Sequence, residues 1–204
     1  MDKQRRKFKK ARLLSKRQVH PDARCWDWML HSGNVHYACN SSTFSSYTKI
    51  DMEAGAILGF DERVVFGIGT VNLVARRSQE SDEMCTITLH DVLRIPSMLC
   101  NGISESRLCD AELSVAKSKF GVQISHPQTG LQLCHGTRFR DMHKLALVGD
   151  PQGESLLEQA GEFMSISVSA KEEEVARLGR AVREIHREEH WVGPILGDQY
   201  GLRC

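Results

Sequence analysis

The chain has 204 residues, 41% apolar and 26% charged, with a net charge of +1. That is one globular domain with extensions, not a low-complexity or collagen-like chain. No stretch reaches the ~18–20 continuous apolar residues of a membrane helix, and no apolar run of the signal-peptide kind follows the basic start, so we expect no membrane partner and a cytoplasmic or nuclear protein.

The charge is unevenly spread. Nine Lys/Arg against one acid in residues 1–18 give +8, which leaves −7 for the remainder. Residues 1–22 therefore read as a disordered basic arm ending at the His20-Pro21 step. Its cations Arg5, Arg6, Lys7, Lys9, Lys10 and Arg12 would hold nucleic acid weakly and without sequence preference. Phe8 is the arm's one aromatic residue, so stacking on single strands has little to work with.

From about Cys25 to Val148 the pattern is β. "WDWML" has the length of a strand, and "GAILGF" precedes a charged turn. "VVFGIGTVNLVARR" is rich in β-branched residues, with Gly67 and Gly69 marking a bend or bulge. "MCTITLHDVLRIP" alternates Cys85, Ile87 and Leu89 with Thr86, Thr88 and His90 and stops at Pro96. "SMLCNGISESRLCDAE" has helical spacing and reads as a short helix or turn. "LSVAKSKF", "GVQISH", "LQLCHGT" and "HKLALVG" follow as strands joined by short turns, "HPQTG" being the clearest. Many short strands at this spacing predict a mainly β domain, a sandwich or a closed or partly open barrel, over 23–150.

After Gly149-Asp150-Pro151 comes an extension, 151–204. "MSISVSA" is strand-like. A helix is expected over about 171–191, with Val175, Leu178, Val182 and Ile185 on one face and acids 172–174 in its first turn.

Seven cysteines, an odd number without a Cys-x-x-Cys, read mostly as reduced, buried, small apolar residues. His31, His36 and Cys39, or His186 with His190, lack the tight paired spacing of a zinc site. No metal or cofactor is expected.

Three pieces in order carry a resemblance: "WMLHSGNVHYACNSSTFSSYTKID", "VVFGIGTVNL" and "CTITLHDVLRIPSMLCN". From Trp26 to about Leu108 the chain resembles the protease-like domain of copia-type retrotransposon Pol polyproteins, especially degenerate copies in fungal genomes. The resemblance implies a retropepsin-like β-barrel. It also implies an aspartic site in which each chain of a homodimer supplies one Asp-Ser/Thr-Gly turn and the two carboxylates share a proton. Here that turn would be His31, Ser32 and Gly33, with imidazole in place of the acid. The chain also lacks a residue between Gly33 and Asn34 and gains one before Cys39. Asp27, roughly 13 Å back along a strand, cannot substitute. The reading is a non-catalytic remnant. Its alternatives are a nucleic-acid- or protein-binding module using the arm and barrel, and an active aspartic endopeptidase within a dimer. A Ser/His or Cys/His hydrolase built on Ser32 or Cys39 lacks a Gly-x-Ser-x-Gly elbow.

Overall fold

A computed structural model of the chain describes residues 26–50, 56–58, 63–149, 155, 157, 165–188 and 202–203. The basic arm lies outside the described residues.

The protein is mainly β. Strands β1 (Trp28–His31), β2 (Tyr37–Ala38), β3 (Ser46–Lys49), β4 (Ala56–Leu58), β5 (Arg63–Val65), β6 (Gly67–Arg76), β7 (Met84–Arg94) and β8 (Asn101–Ser104) lead into helix α1 (Glu105–Asp110). Strands β9 (Ser114–Lys117), β10 (Gly121–Ser125), β11 (Gln132–Phe139) and β12 (Met142–Leu145) follow, then helix α2 (Glu172–Glu188) and β13 (Leu202–Arg203). The large sheet runs β3-β6-β7-β2-β8-β1-β12-β11-β10-β9, with β13 beside β7, while β4 and β5 pair separately. Among the described residues the ladder is open, ending at β3 and β9, and does not close into a barrel. A single bridge, Ala75 opposite Leu147, ties the stretch after β12 to β6.

Periodicity explains the long antiparallel strands. On β7, Cys85, Ile87 and Leu89 are buried and Thr86, Thr88 and His90 are half-buried, as period-2 alternation requires. The pairing slips between Gly69 and Val71, where β6 runs opposite Leu89 to Val92 of β7. Asp91 there has φ 53°, the left-handed conformation of a bulge residue. The bend read from the glycines of β6 is thus a bulge whose extra residue lies on the partner strand. The "VVFGIGTVNL" stretch is two strands, broken at Phe66, which bonds back to Arg94.

The helical reading of "SMLCNGISESRLCDAE" needs correction. Its middle, Asn101–Ser104, is β8, paired in parallel with all four residues of β1. Both strands are buried at every position, so neither shows alternation. The helix begins only at Glu105. Ser104 caps it by accepting the Arg107 N–H.

Helix α2 begins at Glu172, one residue later than expected. Glu174 reaches back to the Lys171 N–H (2.8 Å), a capping arrangement. Leu178 is buried, and Val175 and Val182 pack with it on the cluster that holds Tyr37, Leu93 and Ile95. The C-terminal segment therefore shares a core with the sheet. Among the described cysteines, Cys39, Cys100 and Cys134 are buried and free and Cys109 is exposed and free. Cys85 is disulfide-bonded, contrary to its reading as a reduced core residue, and β13 runs beside it with Arg203 opposite Thr86.

Two glycines are held for different reasons. A Cβ on Gly102 would stand 2.1 Å from the Tyr37 ring and 2.8 Å from Cδ2 of His31. At Gly130 there is open space, but φ is +68°. Gly102→Ala is expected to cost about 3 kcal/mol by overpacking and Gly130→Ala about 1 kcal/mol by backbone strain. Urea unfolding midpoints check the order, and equal costs would contradict it.

Candidate functional site

Strand β1 delivers His31 to the turn, and β8 runs beside it in parallel, so His31 pairs with Ser104. Ser104 sends its hydroxyl to the Gly33 carbonyl (2.6 Å), and Ser106 adds a longer bond to the same oxygen (3.3 Å). Arg107, one turn into α1, donates from Nε to the Asn34 carbonyl (3.1 Å). The turn is thus gripped by the last residue of β8 and the first turn of α1, and none of these three was foreseen from sequence. Only the Ser104 cap had a local signal, a serine before a short helical run.

His31 is 3% exposed and His36 2%. The Gly33 N–H donates to Nδ1 of His31 (3.0 Å) and the Ser104 N–H to Nδ1 of His36 (3.1 Å). An imidazole nitrogen that accepts carries no proton, so each ring is the neutral Nε2–H tautomer. Both Nε2 atoms are buried without a hydrogen-bond partner. The His31 ring leans on Tyr37, centroids 5.2 Å apart. Burial lowers the pKa of His31 to about 4, and the Val35 backbone pulls the other way without reaching hydrogen-bond geometry. Burial, then the Arg107 and His31 charges, lower that of His36 to about 3. The turn-histidine reading of His36, satisfied by backbone, holds at Nδ1 through the Ser104 bond but not at Nε2. Trp28 is buried and Trp26 half-buried, as one core and one rim residue.

His31 and Ser32 line a cleft of about 420 Å³ with Glu105, Lys117, Asp141 and His143. Its two carboxylates are bonded to different cations, Glu105 to Lys117 and Asp141 to Arg138 (3.0 Å). Asp27, the remaining acid near β1, is buried and held by Ser155 and Lys144. The cleft's His31 is an imidazole kept neutral by burial, and its two carboxylates are each bonded to a cation rather than to one another. Among the described residues no three His, Cys, Asp or Glu side chains gather where they could hold a metal ion. A larger hollow of about 620 Å³ lies away from the turn, between the β6–β7 and β10–β11 connections. Cys134 is no candidate nucleophile, since burial pushes its thiol up to about 12.

The structure places His31, Ser32, Gly33 and His36 in one turn region, where Ser104 bonds both the Gly33 carbonyl and the His36 ring. The arm residues Arg5, Arg6, Lys7, Lys9, Lys10 and Arg12 lie outside the described residues. The segment 165–170, read from sequence as strand-like, pairs in no ladder but crosses the turn, which the sequence reading did not foresee. Its signal was present in the alternating "SISVSA". Among known proteins no family model, no curated protein and no solved structure matches the chain.

The buried histidines set a pH dependence. Unfolded imidazoles take up protons below about pH 6.5, whereas the folded ones do so only near 4 and 3. Acid therefore favours the unfolded chain. This part of the stability is complete above pH 6.5 and is lost as pH falls from there towards 4 and then 3. Crossing the whole window costs about 3 kcal/mol for His31. His31→Asn, which keeps an acceptor for the Gly33 amide, should flatten the acid limb of a urea-midpoint curve between pH 6.5 and 4. An unchanged slope would show that His31 does not titrate this way.

Proposed function

We propose that the chain is a non-catalytic remnant of a copia-type retrotransposon Pol protease-like domain, with His31 at the position of the catalytic aspartate. One observation carries the reading: the turn residue is a buried, neutral imidazole whose Nδ1 is already taken by the Gly33 amide. The three matched pieces support the descent by falling on neighbouring parts of one sheet, namely β1 with its turn, then β6, then β7 leading to β8. The bridge between Ala75 and Leu147 supports a retropepsin-like barrel as the fold from which this open sheet derives. On this reading the domain spans 23–150, flanked by the arm 1–22 and the extension 151–204.

An active endopeptidase needs two acids in one hydrogen-bonded pair, and a homodimer of this chain would bring two imidazoles. Losing a member of a catalytic unit removes rate on the order of 10⁴ or more. The arm supports a second role. Nine cations within eighteen residues would hold nucleic acid by counterion release, so binding should weaken steeply with salt and vanish when residues 1–18 are deleted. A cytoplasmic or nuclear place is supported by the four free cysteines among the described residues, while the bonded Cys85 weighs against a reducing compartment.

The purified full chain is expected to show no pepstatin-sensitive cleavage of unfolded casein between pH 3.5 and 7. Cleavage that disappears in His31→Ala would overturn the reading. His31→Asp should give weak acid-optimum cleavage only where the turn keeps its shape and two chains pair turn to turn; an inactive variant would place the deeper defect in the shifted loop or in the missing dimer.

A further inference from the structure

Residues 165–170, Ser-Ile-Ser-Val-Ser-Ala, cross the turn as an extended strap with strict alternation. Ser165, Ser167 and Ser169 are exposed, while Ile166, Val168 and Ala170 are 5%, 3% and 8% exposed. The strap belongs to no strand ladder. Side chains of the turn region bind its backbone instead. The Tyr37 hydroxyl donates to the Ile166 carbonyl (2.5 Å). The Asn34 amide both donates to the Ala170 carbonyl and accepts its N–H, each at 2.8 Å, imitating a strand edge. Ser32 and Ser167 meet through their hydroxyls at 3.2 Å. A Cβ on Gly33 would lie 1.9 Å from the Val168 carbonyl oxygen, so only glycine lets the strap pass. Ile166 packs with Met29, Cys100 and Leu157, while Val168 and Ala170 join the Tyr37 cluster.

Backbone groups satisfied from one side, with pockets for every second side chain, are how proteins hold extended peptides. We propose that the groove over Ser32–Tyr37 is a site for an extended peptide with Ile- or Val-sized side chains at alternate positions and small residues between, and that the chain keeps it filled with its own residues 165–170. The strap also walls the cleft beside His31, through Ser165, Ile166 and Ser167. Filling in cis wins because a tethered segment acts at an effective concentration of about a millimolar. A free peptide of the same alternation competes once the strap is loosened. The site does not depend on the proposed descent: proteolytic activity would remove that reading and leave this one standing.

The test uses the full chain. In Ser32→Cys/Ser167→Cys, mild oxidation should link positions 32 and 167 within one chain, as mapped by mass spectrometry of proteolytic fragments. A fluorescein-labelled Ser-Ile-Ser-Val-Ser-Ala peptide is then titrated by fluorescence anisotropy against three forms. The strap-weakened Ile166→Ser/Val168→Ser chain should bind it about 10-fold or more tightly than wild type. The oxidised, locked chain should bind least, and its reduction should restore wild-type behaviour. Failure to form the link overturns the proposal. So does a link between two chains, which would put a second copy's strap in the groove. A folded strap-weakened chain that binds no better than wild type also overturns it. Should that double variant not fold, Ala170→Asp, at the strap's end, takes its place in the comparison.

Discussion

Two imidazoles buried side by side beneath Arg107 cannot both carry charge, and the turn is built around keeping them neutral. Each spends its Nδ1 lone pair on a buried amide, Gly33 for His31 and Ser104 for His36. Those amides would otherwise be orphaned donors, at a cost of about 1–3 kcal/mol each. The remaining Nε2–H groups go unpartnered, which offsets part of that gain. An acid at position 31 would have two duties, accepting the Gly33 amide and exchanging a proton with a partner. Imidazole performs the first without charge and cannot perform the second. The turn therefore holds its shape without a charged group at position 31.

Parallel pairing of β1 with β8 is the frame that makes this burial feasible. Every residue of both strands is buried, so the backbones meet without water. At Gly102 the frame leaves no room for a side chain, since the Tyr37 and His31 rings occupy the space a Cβ would need. Tyr37 is consequently fixed at both ends. Its ring closes the space over Gly102, and its hydroxyl anchors Ile166 on the strap.

Legibility followed burial on one face. Strand β7, the β10–β11 hairpin and helix α2 were readable because each has a wet side and a dry side, and period 2 or 3.6 shows only when the sides differ. Strand β8 has no wet side, so its Asn-Gly-Ile-Ser carried no period and was absorbed into a helical reading of its surroundings. Strand β2, two residues long, is too short to show one. Asp91 in the left-handed region depends on how many residues face one another across two strands, which neither strand states alone. At the site, position 31 was legible from its neighbours Ser32 and Gly33. The grip of Ser104, Ser106 and Arg107 was not, since these residues lie some seventy positions away and meet the turn only through strand pairing. The bond at Cys85 was likewise hidden, because an odd count with irregular spacing does not say which thiols are brought together.

The strap bears on whether two such chains could pair turn to turn. A second copy approaching Gly33 meets the Val168 backbone first, so the strap must lift before the turns can touch. Lifting it returns Ile166 and Val168 to water at about 1.5–3 kcal/mol each and breaks the bonds from Tyr37 and Asn34. Concentration adds to this. A partner at about a micromolar competes with a tethered segment acting near a millimolar, a thousandfold handicap worth about 4 kcal/mol. A pairing that offers no carboxylate dyad in return has only its own contacts with which to meet these costs. The physics of the turn therefore favours a chain closed on itself. With the strap in place, the turn is shielded from a second copy by the Val168 backbone.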